Sequence, residues 1–522
     1  MTDPGRFYLT TAIFYPSPKP ALHSMFEAIG ADMIARYHRL LGEEVRFLTG
    51  LDEHSANVER DARAQGVDPH ELIDPWAATW QATFERFGIS ADRFIRTTDP
   101  DHADASIEMV RRAIANGDVY QGTYSGWFCN GCNEFKTEQQ LVNGRCPDHP
   151  TLEPAWLEES NYFFRLSAYQ ERLERLYADN PSFCEPEHFR NEVLGWLRDG
   201  LRDFSISRSG ATWGIPFPDD PDHRIYVWFD ALTNYLTGAG FPNDADALAR
   251  WWPADLHVIG KNITRFHCLY WPAMLMSAGV PLPTQVFAHG FMLDRGEKMS
   301  KTAGNVRDPD ETASVFGIDG VRYMVLREVP FDRDADVSTE SFVRRYNADL
   351  ANDLGNLVNR TVSMARRYLE GELPPVSSAG QPADREMAST AARVVEAYHA
   401  AMQLKQLDRA LAAMMELAGA ANGYAESQAP WALHKAGEQT RVGQVLAVMA
   451  EACRIIGHLL APAAPGGARR LHEQLGVPPP YDERSAGGPG LDALVAWGGG
   501  PPGWQVGAPS PLFPRVEVEA AG

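Results

Sequence analysis

The sequence has few cysteines, an excess of negative charge and no apolar run near the roughly 20 residues that a membrane helix requires. Each shortage removes a class of protein. Six cysteines in 522 residues are too few for a disulfide framework. A formal charge of −21 argues against indiscriminate coating of nucleic acid, although a local basic patch on such a chain can still hold RNA. The opening stretch MTDPGRFYLTTAIF lacks the basic region, apolar core and cleavage site of a secretory signal, so a cytoplasmic location without membrane contact is expected. What the chain does have is 44% hydrophobic residues over a length that can bury at least two substantial cores.

Three of the six cysteines fall in one cluster, CNGCNEFKTEQQLVNGRCPDH. Cys129 and Cys132 form a C-x2-C pair, and Cys146 and His149 a C-x2-H pair, with glycine and proline nearby to turn the chain. Two such knuckles can set three thiolates and an imidazole around one zinc ion, closing all four positions, which makes the site structural. The alternative is unrelated surface thiols. Cys184, Cys268 and Cys453 are scattered and read as small buried residues.

The apolar run FYLTTAIFY, an amphipathic stretch and then EVRFLTGLDEH read as a βαβ opening, and RIYVWFDAL and LHVIG read as later strands. An open parallel α/β sheet interrupted by an insertion is expected, with ligands outside the carboxyl ends of its strands. Residues 1–117 and 217–335 form its two halves, and 118–216 form the insertion with the cysteine cluster. Residues 336–475 read as a separate helical bundle, and 476–522 as a tail rich in proline and glycine with short ordered pieces.

Chemistry centres on HGFMLDRGEKMSKTAGN, where Lys298 and Lys301 bracket two residues in a loop flanked by glycines. Two ammonium groups there can close on a polyphosphate while backbone N–H groups approach it. A solvated lysine pair is the plainer alternative.

With KMSKT, TGLDEHS, YVWFDALTNYLTGAGFP, VIGKNITRFH, DLANDLGNL and QAPW all present, the chain resembles the methionyl-tRNA synthetases, class I aminoacyl-tRNA ligases, from about Phe7 to about Pro465. The resemblance implies a Rossmann-like catalytic core, a zinc-knuckle connective insertion and an α-helical anticodon-binding domain. It also implies an amino-acid pocket: Ala12, Ile13 and Tyr15 as floor, Trp228 and Tyr235 as aromatic walls, Ile263 and His267 on the far side, and Asp52 for the α-ammonium. Aromatic walls suit an unbranched thioether, and a carboxylate offsets the desolvation of an amino group. Each aromatic could equally be ordinary core. On the tRNA side, Asn356, Arg360 and Trp431 match the family's anticodon-contacting residues, the first two on one helical face; packing of the bundle is the other reading.

The chain departs from the family on the adenosine side. Where the family has His-x-Gly-His, this sequence has Ala21, Leu22, His23 and Ser24, in the register that matches Glu27, Ile29 and Asp32. Apart from Leu232, which stands in the amino-acid pocket where many members have proline, Asn262 stands for the aspartate of Gly-Lys-Asp and Ser55 for the glycine after DEH. These departures are read as a cluster around the adenylate. A specialised paralogue follows, a monomer with room for a partner protein. It is expected to be a ligase-like protein that binds methionine or a similar amino acid and esterifies it to tRNA, holds structural zinc, and has impaired use of ATP and Mg2+. A ligase of specialised metabolism, joining an amino acid to a hydroxyl or hydroxylamine acceptor, and a non-catalytic amino-acid- or tRNA-binding protein are the alternatives.

Overall fold

The computed structural model describes residues 5–129, 134–136, 138–147, 150–294, 296–298, 307–377, 380–479 and 489–517. At its centre lies a parallel sheet of six strands: β1 (Arg6–Phe14), β2 (Glu44–Leu51), β3 (Arg93–Arg96), β4 (Cys184–Glu185), β5 (Leu256–Gly260) and β6 (Val286–His289). Their order is β3-β2-β1-β5-β6-β4. β1 and β5 are central and buried on both faces, which is why they read as apolar runs. The polar residues of β1 are satisfied sideways: Thr10 bonds His257 of β5 at 2.8 Å, and Thr11 donates to Thr49 of β2 at 2.8 Å. The sheet grows from β1 to β2 and β3 on one side, and through β5 and β6 on the other. A crevice therefore opens at the carboxyl ends of β1 and β5.

Helix α1 (Leu22–Leu40) crosses from β1 to β2 and is buried along most of its length. At Gly30 an added Cβ would stand 2.4 Å from the Phe331 ring, so a side chain there would push the helix off its seat. Asp32, also on α1, accepts from Arg36 and Arg322 at 2.6 Å each and from Ser90. Burial pushes this carboxyl up, but the two guanidinium charges and the Ser90 bonds outweigh it and hold Asp32 well below the usual range. Arg322 also donates to the carbonyls of Pro462 and Ala463, so one buried ion network ties the sheet domain to the helical bundle.

The insertion carries an antiparallel sheet made by Val119–Cys129, Glu134–Lys136, Ala155–Phe164 and Phe204–Ser205. RIYVWFDAL is not a strand throughout. Only its first two residues, Arg224 and Ile225, are extended, ending the strand Asp220–Ile225 of a small antiparallel sheet, and Tyr226 is the N-cap position of the helix Val227–Leu232. That helix is buried all round, and a fully buried helix and a fully buried strand leave the same apolar run.

The bundle contains α2 (Asn356–Leu369), the long helices Pro382–Gln403, Leu407–Gln428 and Gln439–Leu460, and the short α3 (Pro430–Lys435). Contrary to the sequence expectation, Gln439–Leu460 is long and apolar enough to cross a membrane by length and composition, but 94% of its apolar window is buried in the protein. It is the bundle's central helix. Glu451 and Arg454 within it pair with each other at 2.6 Å, and Arg441 near its start pairs with Asp384 at 2.6 Å. Residues 489–517 are mostly irregular yet packed: Trp504–Gln505 pairs with Glu372–Leu373, and Trp504, Leu512 and Phe513 are buried.

Candidate active site

A cavity of about 520 Å³ opens at the crevice. It is lined by all eight amino-acid-side residues, Ala12, Ile13, Tyr15, Asp52, Trp228, Tyr235, Ile263 and His267, and also by Ala21, His23, Ser24 and Asn262. The strand ends explain the convergence: Tyr15 follows β1, Asp52 follows β2, and Asn262 and Ile263 follow β5.

On the amino-acid side the geometry is tightly held. The Trp228 ring stacks on Phe266, with centroids 3.6 Å apart and 5° between planes. Tyr235 donates its hydroxyl proton to His267 Nε2 at 2.6 Å, while His267 Nδ1 donates to the Ile263 carbonyl at 3.0 Å. This pattern fixes the tautomer. Burial brings His267 down to about 4, so the ring is neutral at physiological pH and a steady acceptor for the tyrosine.

Asp52 is 3% exposed, and its Oδ1 has no hydrogen-bond partner among the described residues. Burial first, then the charges of Asp230 and Glu53, push its carboxyl well above the ordinary value. Asp230 itself stays charged: burial raises it, yet His54 at 2.7 Å and His102 at 2.6 Å hold it at about 2. A buried carboxyl with an empty acceptor beside a fixed negative charge is suited to a cationic ligand. The sequence reading missed Phe266, Asp230 and its two histidines. Phe266 adjoins His267 and could have been found by position; the Asp230 group is assembled from residues up to 176 apart and has no local spacing to betray it.

The opposite wall is set by α1. Glu27 Oε1 accepts from the Ala12 amide at 3.0 Å, and Oε2 lies 2.9 Å from His289 Nε2. These contacts and those of Asp32 seat the helix with Ala21 at its N-cap. Ala21 offers no side-chain cap, and the Leu22 amide bonds the Arg307 carbonyl at 3.0 Å. His23 and Ser24 occupy the first turn and line the cavity. Lys261 pairs with Asp334 at 2.6 Å. Ser55, grouped with the adenylate departures in the sequence, instead caps the helix Ala56–Gln65 through Val58, and it does not line the cavity. Leu232 does line it. The Lys298 backbone lies in a short strand paired with Leu293, whereas Lys301 lies outside the described residues.

Cys129 ends the strand Val119–Cys129, paired with Glu134 across the hairpin, and Cys146 follows a tight Asn143–Gly144 turn with φ of 53° and 74°. Both are buried and outside any disulfide. Two buried thiols at chain reversals fit a zinc knuckle. Cys132 and His149 lie outside the described residues, among which no metal-holding group of three is found. In the bundle, Asn356 and Arg360 lie on one face of α2, and Arg360 sits 5.6 Å from the Trp431 ring and 2.7 Å from Glu426.

A parallel sheet with a site at its switch point, an inserted antiparallel domain and a helical bundle beyond define a class I synthetase core joined to an anticodon-binding domain. The family model for class I tRNA synthetases (M) matches residues 7–153 and 149–362, and that for the anticodon binding domain of methionyl tRNA ligase matches 374–520. The methionine–tRNA ligase of Thermosynechococcus vestitus is 42% identical, and that of Mycobacterium tuberculosis (strain H37Rv) 45%, each over 98% of both chains. The solved Mycobacterium tuberculosis methionyl-tRNA synthetase in complex with methionyl-adenylate superposes with a TM-score of 0.91 at 44% identity, over 98% of this chain and 100% of that one. Its apo form gives 0.83 at 41% identity, over 99% of both. The chain belongs to the methionyl-tRNA synthetase family.

Proposed function

We propose that this chain binds methionine or a close analogue, engages tRNA through its helical domain, and activates the amino acid with ATP and Mg2+ far less well than its relatives do. The single observation that carries this reading is the two-faced cavity. One wall holds the bonded Tyr235–His267 pair, the stacked Trp228 and the buried Asp52, and the other presents Ala21, His23 and Ser24 where the family has His-x-Gly-His.

Asp52 would receive the ligand's ammonium, and Trp228, backed by Phe266, would cover the thioether. The adenosine side lacks both imidazoles that would stabilise charge developing on the phosphates. Loss of one such donor costs about 100- to 1,000-fold in rate. His23 adds bulk where the family's glycine leaves room for the nucleotide. Cys129, Cys132, Cys146 and His149 would hold a structural zinc that braces the insertion. Calorimetry with methionine alone, and then with a non-hydrolysable ATP analogue, tests the reading. Methionine is expected to bind and the analogue to bind weakly or not at all; tight analogue binding without methionine binding would overturn it.

A further inference from the structure

The face of the bundle that carries Arg360 and Trp431 continues past them. α3 presents two planar side chains one turn apart. Trp431 stands against Arg360 of α2, and His434 stacks on Tyr368 of α2 with ring centroids 4.1 Å apart and 17° between planes. Arg360 and Tyr368 are eight residues apart on α2, roughly 12 Å along its axis. The two pairs form consecutive rungs between the same two helices.

The second rung has the chemistry of the first. Tyr368 and His434 are both partly exposed, so their rings are not sealed in the core. Gln439 donates to His434 Nδ1 at 2.9 Å, which leaves the proton on Nε2 as a donor. Arg367 lies 5.8 Å from the Tyr368 ring, and Lys435, next to His434 in the chain, is exposed. Arg360, itself paired with Glu426, Arg367 and Lys435 thus flank the two aromatic pairs on a chain whose formal charge is −21. Flat aromatic faces interleaved with guanidinium and ammonium groups match single-stranded RNA, where bases stack and phosphates pair with the cations.

We propose that Tyr368 and His434 form a second stacking site for an anticodon-loop nucleotide of tRNA, next to the site at Arg360 and Trp431. This rests on the reading that the Arg360–Trp431 face binds tRNA. The test uses the full chain, a methionine tRNA transcript, a shift assay at low and at physiological salt, and ribose footprinting. Tyr368→Ala, Tyr368→Leu, Tyr368→Phe and His434→Ala are compared with Trp431→Ala, each with a thermal melt. Tyr368→Ala and His434→Ala should each weaken binding about tenfold, as the loss of one stacked base does, and Tyr368→Phe should bind like wild type. Tyr368→Leu keeps an apolar side chain, smaller than the ring and without a π-face, and should also lose binding while its melt stays at the wild-type value, which separates stacking from packing. The footprint should lose a loop nucleotide other than the one released by Trp431→Ala. If Trp431→Ala weakens binding while the Tyr368 and His434 variants bind as wild type, the second site is refuted and the first stands. If no variant, Trp431→Ala included, alters binding, the reading of the whole face fails and this proposal with it.

Discussion

Replacing Asp52 with asparagine should move ligand affinity and apo stability in opposite directions. A charge-assisted bond between a buried carboxylate and an ammonium is worth about 1.5–3 kcal/mol, or about 10- to 150-fold in Kd. Methionine should therefore bind Asp52→Asn at least tenfold more weakly. Burial, then Asp230 and Glu53, raise the Asp52 carboxyl well above its ordinary value in the empty protein. A cationic ligand favours the ionised form, so wild-type binding should release a proton, and affinity should fall as pH drops through the raised value. For stability the sign is the reverse. A folded pKa raised above the unfolded one contributes stability that is fully present below the unfolded value, near 4, and lost as pH rises through the folded value. At neutral pH wild-type Asp52 therefore destabilises the empty protein, and Asp52→Asn should melt higher while binding worse. Calorimetry in buffers of different ionisation enthalpy, beside thermal melts without ligand, reads both effects. Unchanged affinity, or a melt that falls together with affinity, would refute the assignment of Asp52 as an ammonium site.

Three other perturbations follow from the same structure. Trp228→Ala removes a ring stacked at 3.6 Å on Phe266 and should weaken methionine binding about tenfold by calorimetry, since an aromatic pair contributes about 0.5–1.5 kcal/mol beyond its buried area. Elemental analysis of protein purified without added metal should find one zinc per chain, lost in Cys146→Ser; a folded, metal-free wild type would contradict this. Arg322→Met leaves Asp32 with Arg36 alone and takes the donor from the buried Pro462 and Ala463 carbonyls, and should cost about 1–3 kcal/mol in denaturant unfolding, the cost of buried acceptors left unsatisfied.

Much of this was legible in the sequence, for identifiable reasons. β1 and β5 are buried on both faces and so stand out as apolar runs, and the pocket residues sit directly beyond strand ends, inside short motifs. RIYVWFDAL misled because Val227–Leu232 is a helix without a polar face, and Gln439–Leu460 hid its apolar length behind an internal Glu451–Arg454 pair. The supports beneath the site were not legible. Glu27 meets His289 across 262 residues and Asp230 meets His54 across 176, contacts that exist only once the topology has closed. Ser55 shows the converse error: a departure next to a motif in sequence proved to be a helix cap outside the cavity.

We propose an amino-acid wall that is kept and an ATP wall altered at Ala21, His23 and Ser24. Methionine-dependent exchange of pyrophosphate into ATP tests it most directly, on the unmodified chain and on the triple variant Ala21→His, His23→Gly, Ser24→His, with Asn262→Asp added in a parallel sample. Exchange by the unmodified protein is expected to lie at least about 100-fold below that of an ordinary family member, from the loss of even one phosphate-facing donor, with a measurable gain in the triple variant. Exchange by the unmodified chain at an ordinary synthetase's rate would contradict it.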